Sequence, residues 1–220
     1  MLNGKRTSRG QRGLSMVELM VGVAVGLFVV AGATVAVSNQ LGDNRRLMLE
    51  TQVQQDLRAA ADVIARDIRR SGHWDDARTG VWYAAATGVS SNPHTALVGV
   101  VSGVPASGVQ YSYQRNGATE QSGFRLNNGA IQMLTGAGWQ ALTDSTTLRV
   151  TKFEVTLNSR DVDLACFTAC AGAPSCPPKQ SVRDITVVIE GAAVHDPAVR
   201  RGAQSNARLR NDVIQGACPV

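Results

Sequence analysis

The sequence predicts an α+β fold, in which a long N-terminal helix packs against an antiparallel β-sheet head. Three observations support this prediction. Residues 19–37 form an uncharged apolar run, residues 49–68 repeat apolar side chains at helical spacing, and residues 73–220 contain short β-prone runs between turn residues. A helical segment followed by successive strands is typical of α+β architecture. At 220 residues, the chain has room for one such domain and an appendage.

The first 13 residues form a polar, basic leader. They carry four of the 22 basic residues (Lys5, Arg6, Arg9 and Arg12) and none of the 17 acidic ones, so the rest of the chain is nearly neutral. A basic flank ahead of an apolar helix stays in the cytoplasm and directs the following chain outward. We therefore interpret the formal charge of +5 as a signal of membrane topology.

The apolar run is long enough to cross a membrane, and one carboxylate stands at its entrance. Residues 19–37 would extend about 28 Å as a helix, close to the thickness of a bilayer core. Glu18 directly precedes them, and an isolated carboxylate at this depth is costly, which predicts a function for it. Gly22 and Gly26 form a Gly-x3-Gly pair that would let another helix approach closely, although glycine is also simply common in membrane helices.

Helical periodicity continues beyond the apolar run. Apolar residues recur every three or four positions, at Leu49, Val53, Leu57, Ala61, Ile64 and Ile68. This spacing predicts one apolar stripe along an amphipathic helix. Ser71-Gly72 predicts the end of that helix, because glycine readily adopts the conformation of a C-terminal cap. The predicted segments are a leader (1–13), a membrane-spanning helix (14–41), its amphipathic continuation (42–72) and a β-rich head (73–220).

The β-rich head contains a series of predicted strands. They are residues 97–101, 109–113, 123–126, 130–134, 139–142, 147–157, 183–190 and, as a last one, 208–214. Asn116-Gly117 and Asn128-Gly129 predict hairpin turns. Apolar and polar residues alternate over 150–155 as in a half-buried strand. We interpret residues 191–207 as an exposed loop, and we expect one sheet to cover the apolar stripe of the helix.

The four cysteines lie in the last quarter of the chain, at positions 166, 170, 176 and 218. Since the topology places them in an oxidising compartment, the even number predicts disulfides. Four cysteines permit three pairings. We expect Cys218 to tie the C-terminus to the loop 166–176, with the other two paired locally. A zinc site is disfavoured, because Cys-x3-Cys-x5-Cys is not a recognised ligand spacing and no histidine lies within it.

The sequence gives little support to catalysis or to metal binding. The histidines at 73, 94 and 195 are far apart and lie in no recognised catalytic motif, so we predict no catalytic residue and no cofactor. Asp75-Asp76 and Asp161-Val162-Asp163 lack a full set of calcium ligands. These carboxylates are predicted to be solvated loop groups.

Two further interpretations are disfavoured. Arg200, Arg201, Arg208 and Arg210 form a basic cluster, but no aromatic residue is interleaved with them, so nucleic acid is not an expected partner. A conventional secretory signal could be cut near Ala31-Gly32-Ala33. The carboxylate at the head of the apolar run and the continuing helix argue against it.

Residues 13–21, Gly-Leu-Ser-Met-Val-Glu-Leu-Met-Val, resemble the processing and methylation motif of type IV prepilins and related pseudopilins. The resemblance implies that a prepilin peptidase cuts between Gly13 and Leu14 and that Leu14 is then N-methylated. Family members favour phenylalanine or methionine at that position. The resemblance also implies that Glu18 meets the amino terminus of a neighbouring subunit and fixes its axial register. A carboxylate and an ammonium attract strongly at low dielectric, which gives this role a physical basis.

Residues 52–72 resemble PilW-type minor pilins in particular, and Arg208-Leu209-Arg210-Asn211 resembles the closing strand of that group. The resemblance implies a pilin-like fold and a minor subunit that is held in the inner membrane by one helix, with its head in the periplasm. Its implied partners are other minor pilins, the major pilin and the inner-membrane assembly platform. In a priming complex at the filament tip it would start pilus assembly and reach the cell surface.

Two alternatives stay open beside the PilW-type reading. One is pseudopilin J of a type II secretion system, which has a similar helix and a β-rich head. The other is a membrane-anchored periplasmic binding domain that never polymerises. A pilus containing this subunit could serve twitching motility, adhesion or DNA uptake.

Overall fold

The computed structural model describes residues 15–80, 91–172 and 175–219. The chain forms two compact units, Met1–Leu47 and Met48–Val220, and we call the second the head unit. Helix α1 spans Met16–Ile68, and a 3₁₀ helix spans Ala77–Gly80. The strands are β1 (Leu97–Val98), β2 (Pro105–Ala106), β3 (Gly108–Arg115), β4 (Ala118–Asn127), β5 (Ala130–Thr135), β6 (Gly138–Ala141), β7 (Leu148–Asp163), β8 (Lys179–Ala193), β9 (Arg200–Arg208) and β10 (Val213–Gln215). These elements form the predicted α+β, pilin-like fold.

The first unit contains the apolar beginning of α1. No proline interrupts the helix, and its side chains are exposed throughout residues 16–47. The helix is long and apolar enough to cross a membrane, with a mean hydropathy of 2.4 over its most apolar stretch. Its length and composition fit the membrane helix predicted from the sequence.

In the head unit, α1 buries the predicted apolar stripe. Leu57, Ile64 and Ile68 are completely buried, and Leu49 packs against the same core from its margin. Alanines fill the positions beside them, so the strands can approach the helix closely. The prediction from helical periodicity is confirmed for this segment.

The strands form two antiparallel sheets where one was expected. The first sheet has the order β1-β3-β4-β5-β6, and the second has the order β10-β8-β7-β2 with β9 also paired to β8. Both contribute to one hydrophobic core with the helix: Phe124 and Ile131 come from the first sheet, and Val155 and Ile185 from the second. The expectation of a single sheet was wrong, because the periodicity of a strand shows which side is buried but not which strands pair.

Both predicted hairpin turns are present. Asn116-Gly117 joins β3 to β4, and Asn128-Gly129 joins β4 to β5. All four residues have positive φ, between 50° and 78°. Such turns match the twist of paired strands, and asparagine and glycine tolerate the conformation best.

The interpretation of residues 191–207 as a loop was wrong. Strand β8 continues to Ala193, and β9 occupies Arg200–Arg208, paired with β8 from Ala192 to Asp184. Strand β9 is polar along most of its length, since only Ala207 within it is fully buried. Its strand conformation comes from pairing with β8. The sequence of β9 itself shows no clear apolar alternation, so it could not be recognised as a strand.

The predicted bounds of the last strand, 208–214, were also wrong. Strand β9 ends at Arg208, and β10 begins only at Val213, so most of the Arg208-Leu209-Arg210-Asn211 motif is not a strand. The Asn211 side chain donates a hydrogen bond to the Ser71 carbonyl at 2.9 Å. Leu209 is completely buried. These interactions hold the segment against the end of α1 without a strand ladder.

A β-bulge interrupts the predicted alternation in β7. The pairing with β8 shifts between Val150 and Lys152, and Val150, Phe153 and Val155 are all buried. Strict alternation would place Val150 and Phe153 on opposite faces. The extra residue of the bulge returns both side chains to the core.

Candidate functional site

The predicted cleavage and methylation positions, Gly13 and Leu14, lie outside the described residues. The first described residue is Ser15, whose carbonyl accepts a hydrogen bond from the Leu19 N–H at 3.1 Å. Helix α1 starts at Met16, which is close to the predicted cut between Gly13 and Leu14. A processed chain would begin almost at the first turn of its own helix.

Glu18 lies in the first turn of α1 and is exposed. The partial positive charge at a helix N-terminus favours a carboxylate at this position. Within the described part of the chain, no ion pair or hydrogen bond engages this carboxylate. The side chain is therefore available to a group from another molecule.

Gly22 and Gly26 lie one helical turn apart and share a face of α1. A Cβ added at either position would meet nothing within 4 Å. The missing side chains leave a shallow strip on the helix surface, where another helix could approach closely. This geometry is the one that the predicted packing role needs.

The apolar side chains around this strip are largely exposed. They include Val17, Leu19, Met20, Val21, Val23, Val25, Leu27, Phe28, Val29 and Val30, each more than half exposed. A contiguous apolar surface of this length is found where a protein meets lipid or another apolar surface. The first unit therefore has the properties of a membrane anchor that can also pack against other helices.

The four cysteines form two disulfides, Cys166–Cys218 and Cys170–Cys176. The first ties the C-terminal segment to the loop 166–176, and the second closes that loop locally, which is the arrangement expected from the sequence. Zinc is bound by thiolates. Sulfurs joined in disulfides are not available as zinc ligands.

Asp67 is a buried carboxylate whose role was not foreseen from the sequence. It accepts hydrogen bonds from the Tyr111 hydroxyl and from Ser122 Oγ, the latter at 2.7 Å, and it pairs with Arg70. Burial and the nearby Asp67 charge raise the pKa of the Tyr111 hydroxyl. The Arg70 guanidinium also lies 4.6 Å from the centre of the Tyr113 ring. This network fixes the end of α1 against β3 and β4.

The spacing of Asp67 contained a signal for this role. Residues at intervals of three or four share a helix face, and Asp67 follows buried Ala60 and Ile64 on that face. A charged residue on a buried helix face requires a partner. The sequence could therefore have shown that Asp67 is paired, although it could not show with which strand.

Arg183 joins three segments at the same end of the head unit. Its guanidinium donates hydrogen bonds to the Thr95 carbonyl at 2.6 Å and the Asn211 carbonyl at 2.7 Å. Burial lowers the pKa of Arg183, and the nearby Asp212 charge opposes that shift. The side chain thus holds the segment before β10 beside the loop that precedes β1.

The histidines show one unexpected contact. His94 is buried in a turn, and its Nδ1 lies 2.9 Å from Ser112 Oγ. The sequence predicted only that the three histidines are far apart and lie in no recognised catalytic motif, so this pairing with a serine was not foreseen. Among the described residues, no carboxylate is hydrogen-bonded to the His94 ring. This contact anchors the turn to β3.

Comparison with known families gives two matches. Residues 46–209 match the family described as prepilin peptidase-dependent protein B, and residues 8–34 match the prokaryotic N-terminal methylation motif. No curated protein and no solved structure matches the chain. The first match covers most of the chain, and the second contains Gly13, Leu14 and Glu18. The chain therefore belongs to the prepilin peptidase-dependent protein B family and is a type IV pilin-like protein.

Proposed function

We propose that this protein is a minor pilin of the PilW type, which joins other minor pilins to prime pilus assembly and is located at the pilus tip. The observation that carries the proposal is the methylation motif at residues 8–34, which leads into a helix whose apolar surface is open. The protein works by packing and display, without catalysis and without a cofactor.

The proposed sequence of events begins at the inner membrane. The basic leader stays in the cytoplasm and the head unit enters the periplasm. Prepilin peptidase cuts after Gly13, and the new amino terminus at Leu14 is N-methylated. The chain remains anchored by α1 until the assembly platform transfers it, with other minor pilins and the major pilin, into the growing filament.

Glu18 supplies the register of this assembly. Its carboxylate is exposed at the start of α1, four residues beyond the proposed amino terminus. Pairing with the amino terminus of a neighbouring subunit neutralises two groups that are each costly in an apolar environment. A subunit displaced along the filament axis would leave both unpaired, so the pair selects one axial position.

The proposal is tested by the fate of Glu18→Ala in cells. We expect normal processing and membrane insertion but strong loss of the protein from sheared pili, measured by immunoblot against the membrane pool. Asp62→Ala, which removes an exposed carboxylate from the same helix, is the matched control and should enter pili normally.

Mass spectrometry of the mature chain provides the second measurement. An N-methyl-leucine at position 14 is expected. A retained Met1, or entry of Glu18→Ala into pili at the level of the control, would contradict the proposal. Intact piliation with lost secretion in a deletion strain would instead identify a pseudopilin of type II secretion.

A further inference from the structure

Three arginines surround a shallow depression at the end of the head unit where α1 finishes. Arg69, Arg208 and Arg210 line it together with Leu209, and its volume is about 420 Å³. Arg69 follows the last residue of α1, Arg208 is the last residue of β9, and Arg210 lies just beyond that strand. We call this surface the arginine patch.

The backbone that carries the arginine patch is fixed by the fold. Leu209 is completely buried, and its N–H donates to the Arg183 carbonyl at 3.0 Å. The Arg210 N–H donates to the Arg69 carbonyl at 3.5 Å, which joins the two segments directly. Because Leu209 points into the core, its neighbours Arg208 and Arg210 both remain exposed. The arginine patch thus has a backbone fixed by the fold and presents three guanidinium groups to solvent.

The charges on the patch are only partly neutralised. Arg208 pairs with Asp212 at 3.1 Å. Asp184 lies opposite Arg208 in the β8–β9 register. Among the described residues no carboxylate forms an ion pair with Arg69 or Arg210, and both side chains are exposed. By contrast, neighbouring Arg70 pairs with Asp67. Two guanidinium groups therefore remain free to bind an anionic group from outside.

We propose that the arginine patch is a docking site for an acidic polypeptide segment that carries at least two carboxylates. A guanidinium group presents two parallel N–H donors that match a carboxylate, and such charge-assisted pairs are stronger than neutral hydrogen bonds. Two free arginines on a fixed backbone suit two carboxylates of one short segment. That this segment belongs to another pilin subunit rests on the proposed function, but the charge chemistry does not.

The size and the residue composition of the arginine patch favour a polypeptide over nucleic acid as its ligand. Specific binding to duplex DNA commonly uses several phosphate contacts along the backbone, whereas three arginines line this depression among the described residues. Single strands are usually bound by stacking on aromatic side chains, and among the described residues no aromatic side chain lines the patch.

The test measures binding of a fluorescein-labelled hexaglutamate peptide to the full-length protein in detergent at low salt. We expect the double variant Arg69→Gln/Arg210→Gln to bind about tenfold more weakly, since two exposed charge pairs are lost. The control Arg115→Gln/Arg160→Gln removes two exposed arginines from strands β3 and β7 and should bind within twofold of the wild type. A labelled DNA duplex of similar length is measured in parallel.

Every outcome of this binding experiment either supports or overturns the proposed docking site. The tenfold loss in the patch variant alone supports the docking site. No binding of the peptide, equal losses in both double variants, or tighter patch-dependent binding of the DNA duplex would overturn it. Formation of both disulfides in each variant, checked by mass spectrometry, confirms that the head unit has folded. A failure of N-terminal processing would refute the proposed function and leave this binding result unaffected.

Discussion

At the residue scale, Asp67 shows how one buried carboxylate can fix the end of a helix against a sheet. Tyr111 and Ser122 are both almost completely buried, and each donates its hydroxyl hydrogen to this single side chain. Buried donors that lose their acceptor retain the full cost of leaving water. The network therefore depends on Asp67 more than on either donor.

Replacing Asp67 with alanine should lower the free energy of unfolding by about 3 kcal/mol, because two buried hydroxyl groups would be left without an acceptor. The measurement is urea unfolding of the full chain in detergent, followed by tryptophan fluorescence. Asp62→Ala, on the exposed face of the same helix, should change this free energy by less than about 0.5 kcal/mol. Equal effects of the two variants would contradict the role given to Asp67.

The raised pKa of Tyr111 predicts how stability changes at high pH. Burial first, and then the Asp67 charge, keep the proton on the folded Tyr111 hydroxyl above pH 10.0, where an unfolded tyrosine loses it. The unfolded state then binds fewer protons than the folded state, so stability falls as pH rises. Below pH 10.0 this contribution is fully present.

The measurement for this second prediction is the slope of unfolding free energy against pH between about pH 9 and 11. The wild type should show a steeper fall than Tyr111→Phe, which has no proton to lose at this position. The comparison removes the contributions of the other groups that titrate in the same range. Parallel slopes would show that Tyr111 ionises normally in the folded protein.

At the element scale, the close contact between β3 and β4 depends on a residue without a side chain. A Cβ at Gly123 would lie 2.6 Å from the Val109 carbonyl oxygen and 2.9 Å from Gln110 Cγ. The first of these neighbours is backbone, so the two strands would have to move apart to admit it. The strand pairing near the centre of the first sheet therefore requires glycine at this position.

Gly123→Ala should lower the free energy of unfolding by about 2 kcal/mol, through overpacking between paired strands. Gly136→Ala is the matched control, because a Cβ at Gly136 would meet nothing within 4 Å. Urea unfolding again provides the measurement. A neutral effect at Gly123 would mean that the strands separate at little cost.

The sequence could predict those elements that are determined by residues close together in the chain. The apolar stripe of α1 and the two Asn-Gly turns depend on residues a few positions apart, and the structure confirms them. Strand β9 and the division into two sheets depend on pairing between distant segments. The polar sequence of β9 becomes a strand only because β8 lies beside it. Periodicity contains no information on such partners.

The residues of the candidate site also fall into two groups: those that the sequence can reveal and those that only folding brings together. The positions of Gly13, Leu14 and Glu18 form one continuous motif, which a single sequence can reveal. The arginine patch joins Arg69 to Arg208 and Arg210, and this proximity exists only after the chain has folded. The buried partners of Asp67 were hidden for the same reason, although its place on a buried helix face indicated that it needed partners.

At the scale of the whole molecule, the two disulfides constrain very different lengths of chain. Cys166–Cys218 spans a sequence separation of 52 residues, whereas Cys170–Cys176 spans only 6. Cross-linking restricts the unfolded chain more as the closed loop grows. The long-range disulfide is therefore expected to contribute more to the stability of the head unit.

The double variant Cys166→Ser/Cys218→Ser should lose about 4 kcal/mol of unfolding free energy, and Cys170→Ser/Cys176→Ser about 2 kcal/mol. Replacing both partners avoids a free thiol that could exchange with the remaining bond. The measurement is urea unfolding of both variants under non-reducing conditions. The reverse order of stabilities would contradict the loop-length argument.

Helix α1 also determines where the chain can be divided. Leu57, Ile64 and Ile68 are completely buried in the core that the two sheets share. A fragment that begins at residue 48 keeps the buried part of α1 and leaves out the exposed apolar part before it, so we expect it to be soluble in water. A fragment cloned from residue 73, where the strand-rich sequence starts, would open the interior of both sheets to solvent and precipitate.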